Sequence, residues 1–124
     1  GLLAGVRFVR RQGTQAVLRH EHALTCRTAE NLRRLPGVEV FALPGCPAQA
    51  GVVSFRVSGR DAETVGEALA RRGIAVRAGL HCAPLAHRTA GTLDTGTVRV
   101  SFSTFNTPQE ADRLAEVVGD ILRR

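Results

Sequence analysis

The chain of 124 residues is long enough for one domain, and its hydrophobic content of 44% is ordinary for a globular protein. No run of 18 apolar residues occurs, which argues against a transmembrane helix, and no signal peptide is visible. The net charge of +6 arises from 17 arginines without any lysine. Because the arginines are scattered and aromatic residues are few, we expect neither a nucleic-acid partner nor a membrane partner.

The spacing of apolar residues and the helix-ending signals predict a series of helices and strands. Gly13 and the pair Pro36-Gly37 end helices, and Asp61 is placed to cap the start of another. Thr107, Pro108 and Glu110 form a near-complete capping box. In chain order, the predicted elements are the end of a helix at 1–11, a helix at 14–35, strands at 38–42 and 51–57 joined by a turn-rich loop, a helix at 61–72, strands at 74–77 and 97–103, and a helix from 108 onwards.

Two of the predicted strands alternate in polarity, so that each has an apolar and a polar face. Arg99, Ser101 and Ser103 share the polar face of the second of them. This pattern predicts an α/β fold, a two-layer sandwich in which helices cover one face of an antiparallel or mixed sheet of three or four strands. The opposite face is then exposed, or covered by something that this chain lacks. The predicted core residues are Val53, Phe55, Leu69, Val98, Val100, Leu114 and Val118.

The cysteines Cys26, Cys46 and Cys82 are an odd number and form no CxxC pair. This pattern predicts neither a disulfide framework nor a four-ligand zinc site, and a reducing, cytoplasmic compartment fits it best. Cys26 lies within a predicted helix and Cys46 within a turn rich in proline and glycine. We expect structural or incidental roles for both.

The histidines do not predict a metal site. His20 and His22 lie two residues apart on a predicted helix and do not face each other. His81, Cys82 and His87 could in principle hold a metal, but no fourth ligand recurs nearby. We therefore expect no metal in this chain.

Cys82 is the strongest candidate for a catalytic nucleophile, since Gly79 and Pro84 predict that it lies in an exposed loop. A thiol is a nucleophile only as the thiolate, a form that nearby cations favour. The side chains within six residues that could supply such charge are Arg77, His81, His87 and Arg88. The alternative is a small apolar side chain tucked beneath the loop, as a free cysteine usually is.

Arg99 is the second candidate, because a strand positions a side chain more rigidly than a loop does. Its guanidinium fork matches a carboxylate. The alternative is a solvated arginine on an open sheet face.

With these residues identified, two segments resemble a known family: "GIAVRAGLHCAPLAH" and "GTVRVSFSTFNTPQEADRL". They are similar to the C-terminal small domain of class V aminotransferases, and most similar to the group of cysteine desulfurases and selenocysteine lyases. The resemblance covers nearly the whole chain. It implies an enzyme whose large domain binds pyridoxal phosphate through a lysine Schiff base and which converts cysteine to alanine, leaving a persulfide on a catalytic cysteine.

That catalytic cysteine matches Cys82, and the arginine that holds the substrate carboxylate matches Arg99. We expect Arg77 and His81 to support Cys82 by keeping its thiolate charged. Because the chain has no lysine, we expect it to bind no pyridoxal phosphate by itself and to be inactive alone.

The resemblance also implies a domain organisation. Residues 1–13 are expected to be the end of a helix connecting to a missing large domain, and residues 14–124 to be the C-terminal small domain. The chain begins at Gly1 without a methionine, and we expect a fragment or a processed piece. The implied partners are the missing cofactor-binding domain, a second copy in a homodimer, and a sulfur-acceptor protein.

Two alternatives remain at this point. One is a related class V enzyme that acts on another amino acid and does not use Cys82. The other is a non-catalytic interaction module that kept the fold and lost the chemistry.

Overall fold

The computed structural model describes residues 1–42, 45–46 and 50–124. Of the predicted turn-rich loop, residues 43, 44 and 47–49 lie outside this part of the chain. The elements are α1 (Leu2–Gln12), α2 (Thr14–Arg33), β1 (Val38–Phe41), β2 (Val52–Val57), α3 (Ala62–Arg71), β3 (Arg77–Gly79), α4 (Pro84–Ala90), β4 (Thr97–Ser101) and α5 (Pro108–Leu122).

The four strands form one antiparallel sheet in the order β1-β2-β4-β3. The register of the central pair places Val53 opposite Val100 and Ser54 opposite Arg99. The α/β sandwich predicted from the alternating pattern is therefore confirmed. Because side chains alternate across a strand, this register separates an apolar face from a polar face.

The apolar face packs against helices α2, α3 and α5 and forms the core. Phe55 and Leu69 are completely buried, and burying a side chain of this size contributes about 1.5–3 kcal/mol. All seven predicted core residues are buried: Val53, Phe55, Leu69, Val98, Val100, Leu114 and Val118.

An exposed ion pair also joins α2 to α5. Arg27 donates two hydrogen bonds to the carboxylate of Asp112, at 2.7 and 2.6 Å, and Asn31 donates a third at 2.9 Å. The hydrogen bond from Arg27 is the main cause that lowers the pKa of Asp112. These contacts set the register of the two helices, but their exposure limits what they add to stability.

Two predicted elements differ from the structure. The strand expected at 74–77 begins only at Arg77, because the amide of Ile74 still donates to the carbonyl of Leu69 and ties this segment to the end of α3. The segment after Cys82, expected to be an exposed loop, contains the helix α4. Pro84 starts this helix and Gly91, in a left-handed conformation, ends it, which is the usual placement of the two residues.

The expectation that no cysteines are paired was wrong. Cys26 of α2 and Cys46 form a disulfide bond, with their Cα atoms 5.6 Å apart, and Cys82 is free and exposed. An odd number of cysteines leaves one unpaired without preventing the other two from meeting. They lie 20 residues apart in the sequence, so no local pattern indicated the pair, and the fold brings Cys46 against α2.

The helix caps agree with the sequence analysis. The side chain of Asp61 accepts a hydrogen bond from the amide of Thr64, and Thr107 and Glu110 form the capping box of α5. No helix within the described residues has both the length and the apolar content needed to cross a bilayer.

The capping box gives a test of local stability. We expect Thr107→Ala to lower the free energy of unfolding by about 1 kcal/mol, because the amide of Glu110 loses its acceptor. Urea denaturation measures the change. Thr104→Ala, which removes the same group from a position outside the helix, serves as the control, and equal effects of the two substitutions would contradict the role of the cap.

Candidate functional site

Cys82 lies in a tight turn between β3 and α4. The amide of Ala83 donates to the carbonyl of Leu80 at 2.9 Å, and the two residues between them, His81 and Cys82, have φ angles of 53° and 59°. Turns with two left-handed central residues ordinarily contain asparagine and glycine there. Side chains held in this conformation cost about 1–3 kcal/mol each and are concentrated at functional sites.

Arg99 lies in the middle of β4, on the face of the sheet opposite the core. Its neighbours across the sheet are Ser54 on one side and Arg77 on the other. Its Nε atom is buried and has no hydrogen-bond partner among the described residues. Two cations directly opposite each other destabilise a sheet, and a buried donor without an acceptor costs about 1–3 kcal/mol. An anion bound at this position relieves both penalties.

A pocket of about 300 Å³ opens on this polar face. Arg99 and His81 both line it, whereas Cys82 and Arg77 do not. Cys82 is nevertheless flanked in the chain by two lining residues, His81 and Ala83. The full lining consists of Phe41, Ser54, His81, Ala83, Ala86, His87, Ala90, Thr92, Thr97 and Arg99.

His81 connects the turn to the strand that carries Arg99. Its Nε2 donates a hydrogen bond to the carbonyl of Thr97 at 3.1 Å. Burial is the main cause that lowers the pKa of His81, and the charges of Arg99, His87 and Arg77 lower it further. These effects favour the neutral form of the ring, and the support that His81 gives to Cys82 stays a prediction.

The helix α4 corrects a further expectation about this face of the sheet. We expected this face to be exposed or covered by something that the chain lacks, but α4 lies over part of it and supplies three of the lining residues, Ala86, His87 and Ala90. Its His87 is 7% exposed and its Nδ1 lies 2.7 Å from the hydroxyl of Thr92. Neither residue was predicted as part of a pocket. The start signal at Pro84 and the end signal at Gly91 could have revealed the helix.

The donor set of the site accounts for an acid but not for the expected cofactor. A buried guanidinium donor beside a hydroxyl of Ser54 suits a carboxylate. Covalent attachment of pyridoxal phosphate needs a lysine amine, and the sequence contains none. The residues present therefore do not by themselves fit covalently bound pyridoxal phosphate, whereas they do fit a carboxylate.

Comparisons with known proteins identify the family of the chain. The family model of the aminotransferase class-V family matches residues 1–114. The chain is 39% identical over 118 residues to a cysteine desulfurase of Synechococcus elongatus, covering 95% of this chain and 18% of the relative. It is 36% identical over 125 residues to a probable cysteine desulfurase of Aeropyrum pernix, covering 98% of this chain and 30% of the relative.

Two solved structures of cysteine desulfurases also match the chain. The apo structure of a cysteine desulfurase from Thermococcus onnurineus matches with a TM-score of 0.90 at 35% identity, covering 97% of this chain and 29% of that one. A cysteine desulfurase from Escherichia coli, solved as an S-sulfonic acid, matches with a TM-score of 0.83 at 26% identity, with the same two coverages. The chain thus spans less than a third of each of these four proteins.

The strained turn gives a prediction about stability. Cys82→Gly and Cys82→Ala both remove the thiol, but only glycine adopts the left-handed conformation without strain. We expect the glycine variant to have a free energy of unfolding about 0.5–1 kcal/mol higher than that of the alanine variant. Urea denaturation of both variants measures the difference, and equal stabilities would mean that the turn is not strained at this residue.

The neutral His81 gives a prediction about pH. Its pKa in the folded state lies below the unfolded value of 6.5, so the unfolded chain binds more protons between these two values. The stabilising contribution of the neutral ring is therefore fully present above pH 6.5 and is lost as the pH falls towards the folded value. We expect His81→Gln to flatten this part of the stability profile, measured by urea denaturation at several pH values. An unchanged slope would contradict the assignment.

Proposed function

This chain belongs to the aminotransferase class-V family, and on that premise we propose that it is the small domain of a cysteine desulfurase. In this proposal Arg99 binds the carboxylate of the substrate and Cys82 receives its sulfur. Residues 1–13 are the end of a connecting helix, residues 14–124 are the small domain, and the remainder of the enzyme supplies the lysine. The activity belongs to the whole enzyme, and the chain alone is inactive.

The observation that carries the proposal is the buried, unpartnered Nε of Arg99 on a pocket wall. A carboxylate bound there accepts the charge-assisted hydrogen bond that no described residue accepts. The positive charge of Arg77, the neighbour of Arg99 across the sheet, further favours an anion on this side of the sheet. Every amino-acid substrate has a carboxylate, so this contact orients the substrate without selecting its side chain.

Cys82 performs the step that is specific to desulfuration. Its thiolate attacks the sulfur of the substrate cysteine, so that an S–S bond forms and the C–S bond breaks. The electron pair of the broken bond remains on carbon, which takes up a proton and becomes the methyl group of alanine. The balance is one cysteine and one thiol giving one alanine and one persulfide. Pyridoxal phosphate, when bound to the rest of the enzyme, would supply the electron sink for breaking this bond.

The position of Cys82 suits a carrier of sulfur. The thiol is exposed and free, and it lies on a short turn beside the pocket rather than within its wall. A sulfur carrier has to reach a substrate and afterwards surrender the sulfur to an acceptor, which requires access from outside. In this proposal a second protein is that acceptor.

The supporting residues act in different ways. Arg77 contributes positive charge at the edge of the sheet, next to the turn. His81 acts as a positioning residue, since its neutral ring binds the carbonyl of Thr97 and holds the turn against β4. Its part is to orient Cys82 and not to supply charge.

The remaining partners and the location follow from this chemistry. The enzyme is proposed to be a homodimer that works in the cytoplasm, because a reducing compartment keeps Cys82 available as a thiol. One observation favours a second candidate: Cys82 does not line the pocket that contains Arg99. In that case the domain belongs to a class V enzyme for another amino acid, and only Arg99 has a role in binding.

Substitutions in the full-length enzyme separate the two candidates. We expect Cys82→Ser to abolish persulfide formation while leaving the cofactor bound. Arg99→Ala is expected to raise the KM for cysteine about tenfold or more, because a charge-assisted hydrogen bond is lost. Alanine production and persulfide labelling are the measurements.

Arg88→Ala is the matched control, since it removes an exposed arginine from α4 that does not line the pocket. Normal turnover by Cys82→Ser together with a raised KM in Arg99→Ala would reject desulfuration and favour the second candidate. If Arg99→Ala behaved like Arg88→Ala, the assignment of the carboxylate site would be wrong.

A further inference from the structure

A second group of reactive side chains lies at α2, where His22 and Cys26 meet Cys46. His22 and Cys26 are four residues apart on the helix, a spacing that places both on one side of it. The ligand atoms of the three residues all lie within 4.8 Å of one another. No other group of histidine, cysteine or acidic side chains with this geometry exists in residues 1–42, 45–46 and 50–124.

We propose that these three residues form a zinc site when the disulfide bond between Cys26 and Cys46 is reduced. The ligands are the Nε2 of His22 and the thiolates of the two cysteines. One imidazole and two thiolates are a donor set typical of zinc, and three protein ligands leave the fourth tetrahedral position for water. We call these three residues the α2 cluster.

The distance between the ligand atoms of His22 and Cys26 is close to what tetrahedral zinc requires. Bonds of about 2.0–2.1 Å to nitrogen and about 2.3 Å to sulfur place those two atoms about 3.5 Å apart. The Nε2 of His22 lies 3.3 Å from the Sγ of Cys26, so these two ligands need almost no rearrangement. All three residues are half-buried, which leaves an ion access while limiting competition from water.

The third ligand needs a larger adjustment. In a tetrahedral site the two sulfurs are about 3.8 Å apart, so they separate once their bond is broken. The Nε2 of His22 also lies 2.9 Å from the carbonyl oxygen of Cys46 and gives up this hydrogen bond to bind the metal. Cys46 has a φ angle of 50°, a left-handed conformation that is uncommon outside glycine, asparagine and aspartate. In this conformation Cys46 lies against α2, with its sulfur bonded to that of Cys26.

Zinc binding and the disulfide exclude each other. A dithiol transfers two electrons to the S–S bond, which yields the two thiols of Cys26 and Cys46 and leaves the reductant as a disulfide. A zinc ion then displaces one proton from each thiol, so two protons are released for each zinc bound. The same sulfurs thus bind a metal under reducing conditions and form a disulfide under oxidising ones.

The experiment compares zinc binding by the reduced and the oxidised chain. The protein is reduced with dithiothreitol, which is removed by gel filtration without oxygen, and zinc is titrated in competition with a chromophoric chelator. We expect one zinc per reduced chain and none at the α2 cluster of the oxidised chain. Cobalt in place of zinc is expected to give the charge-transfer absorbance of thiolate ligands.

Matched variants identify the ligands. Cys26→Ser, Cys46→Ser and His22→Ala are expected to weaken binding by roughly tenfold or more. His20→Ala removes the neighbouring histidine, which contacts the carbonyl of Asn106, and it should bind as the unmodified chain does. Circular dichroism and thermal melts of each variant establish that it is folded.

Three results would overturn the proposal. The first is equal zinc binding by the reduced and oxidised chains. The second is equal binding by His22→Ala and His20→Ala, which removes the histidine from the site. The third is loss of binding in Cys82→Ser, which would place the metal at the turn with His81 and His87 instead.

Discussion

The antiparallel pairing of β2 with β4 is the constraint on which both the core and the candidate site depend. Side chains alternate along each strand, so the register that buries Val53 against Val100 also places Ser54 opposite Arg99 on the other face. A shift of one residue would exchange the two faces, with Arg99 in the core and valines in the pocket. Burial of the apolar face therefore also fixes the position of the Arg99 guanidinium on the other face.

A short segment that contributes little to the core covers part of the polar face of the sheet. The turn at residues 80–83 is held against it by the contact of His81 with Thr97 of β4, and α4 lines the pocket beside it. In the same segment, His87 of α4 contacts Thr92, just after the end of the helix. Within this segment two consecutive residues have left-handed backbones. Packing elsewhere in the molecule offsets the conformational free energy that these two left-handed residues cost. The fold therefore places a thiol at a position where glycine would be more stable.

The three cysteines occupy two distinct environments. Cys26 and Cys46 join a helix to the residues that follow β1, whereas Cys82 is exposed on its turn. Oxidation that closes the first pair leaves Cys82 as the free thiol of the chain. The chemistry proposed for Cys82 and the metal binding proposed for the α2 cluster therefore use different sulfurs, and each can be tested without disturbing the other.

The sequence by itself determined what depends on local pattern: the alternation that buries Val98 and Val100, the caps at Asp61 and Thr107, and the family resemblance around Cys82 and Arg99. Features that depend on residues distant in the chain could be seen only once the chain was folded. The fold paired Cys26 with Cys46, laid α4 over the polar face and left the Nε of Arg99 without a hydrogen-bond partner among the described residues. It also buried part of His81, which lowers the pKa of this side chain. The physical reason is that periodicity reports which side of an element is apolar, whereas burial, pairing and charge depend on what folds against that side.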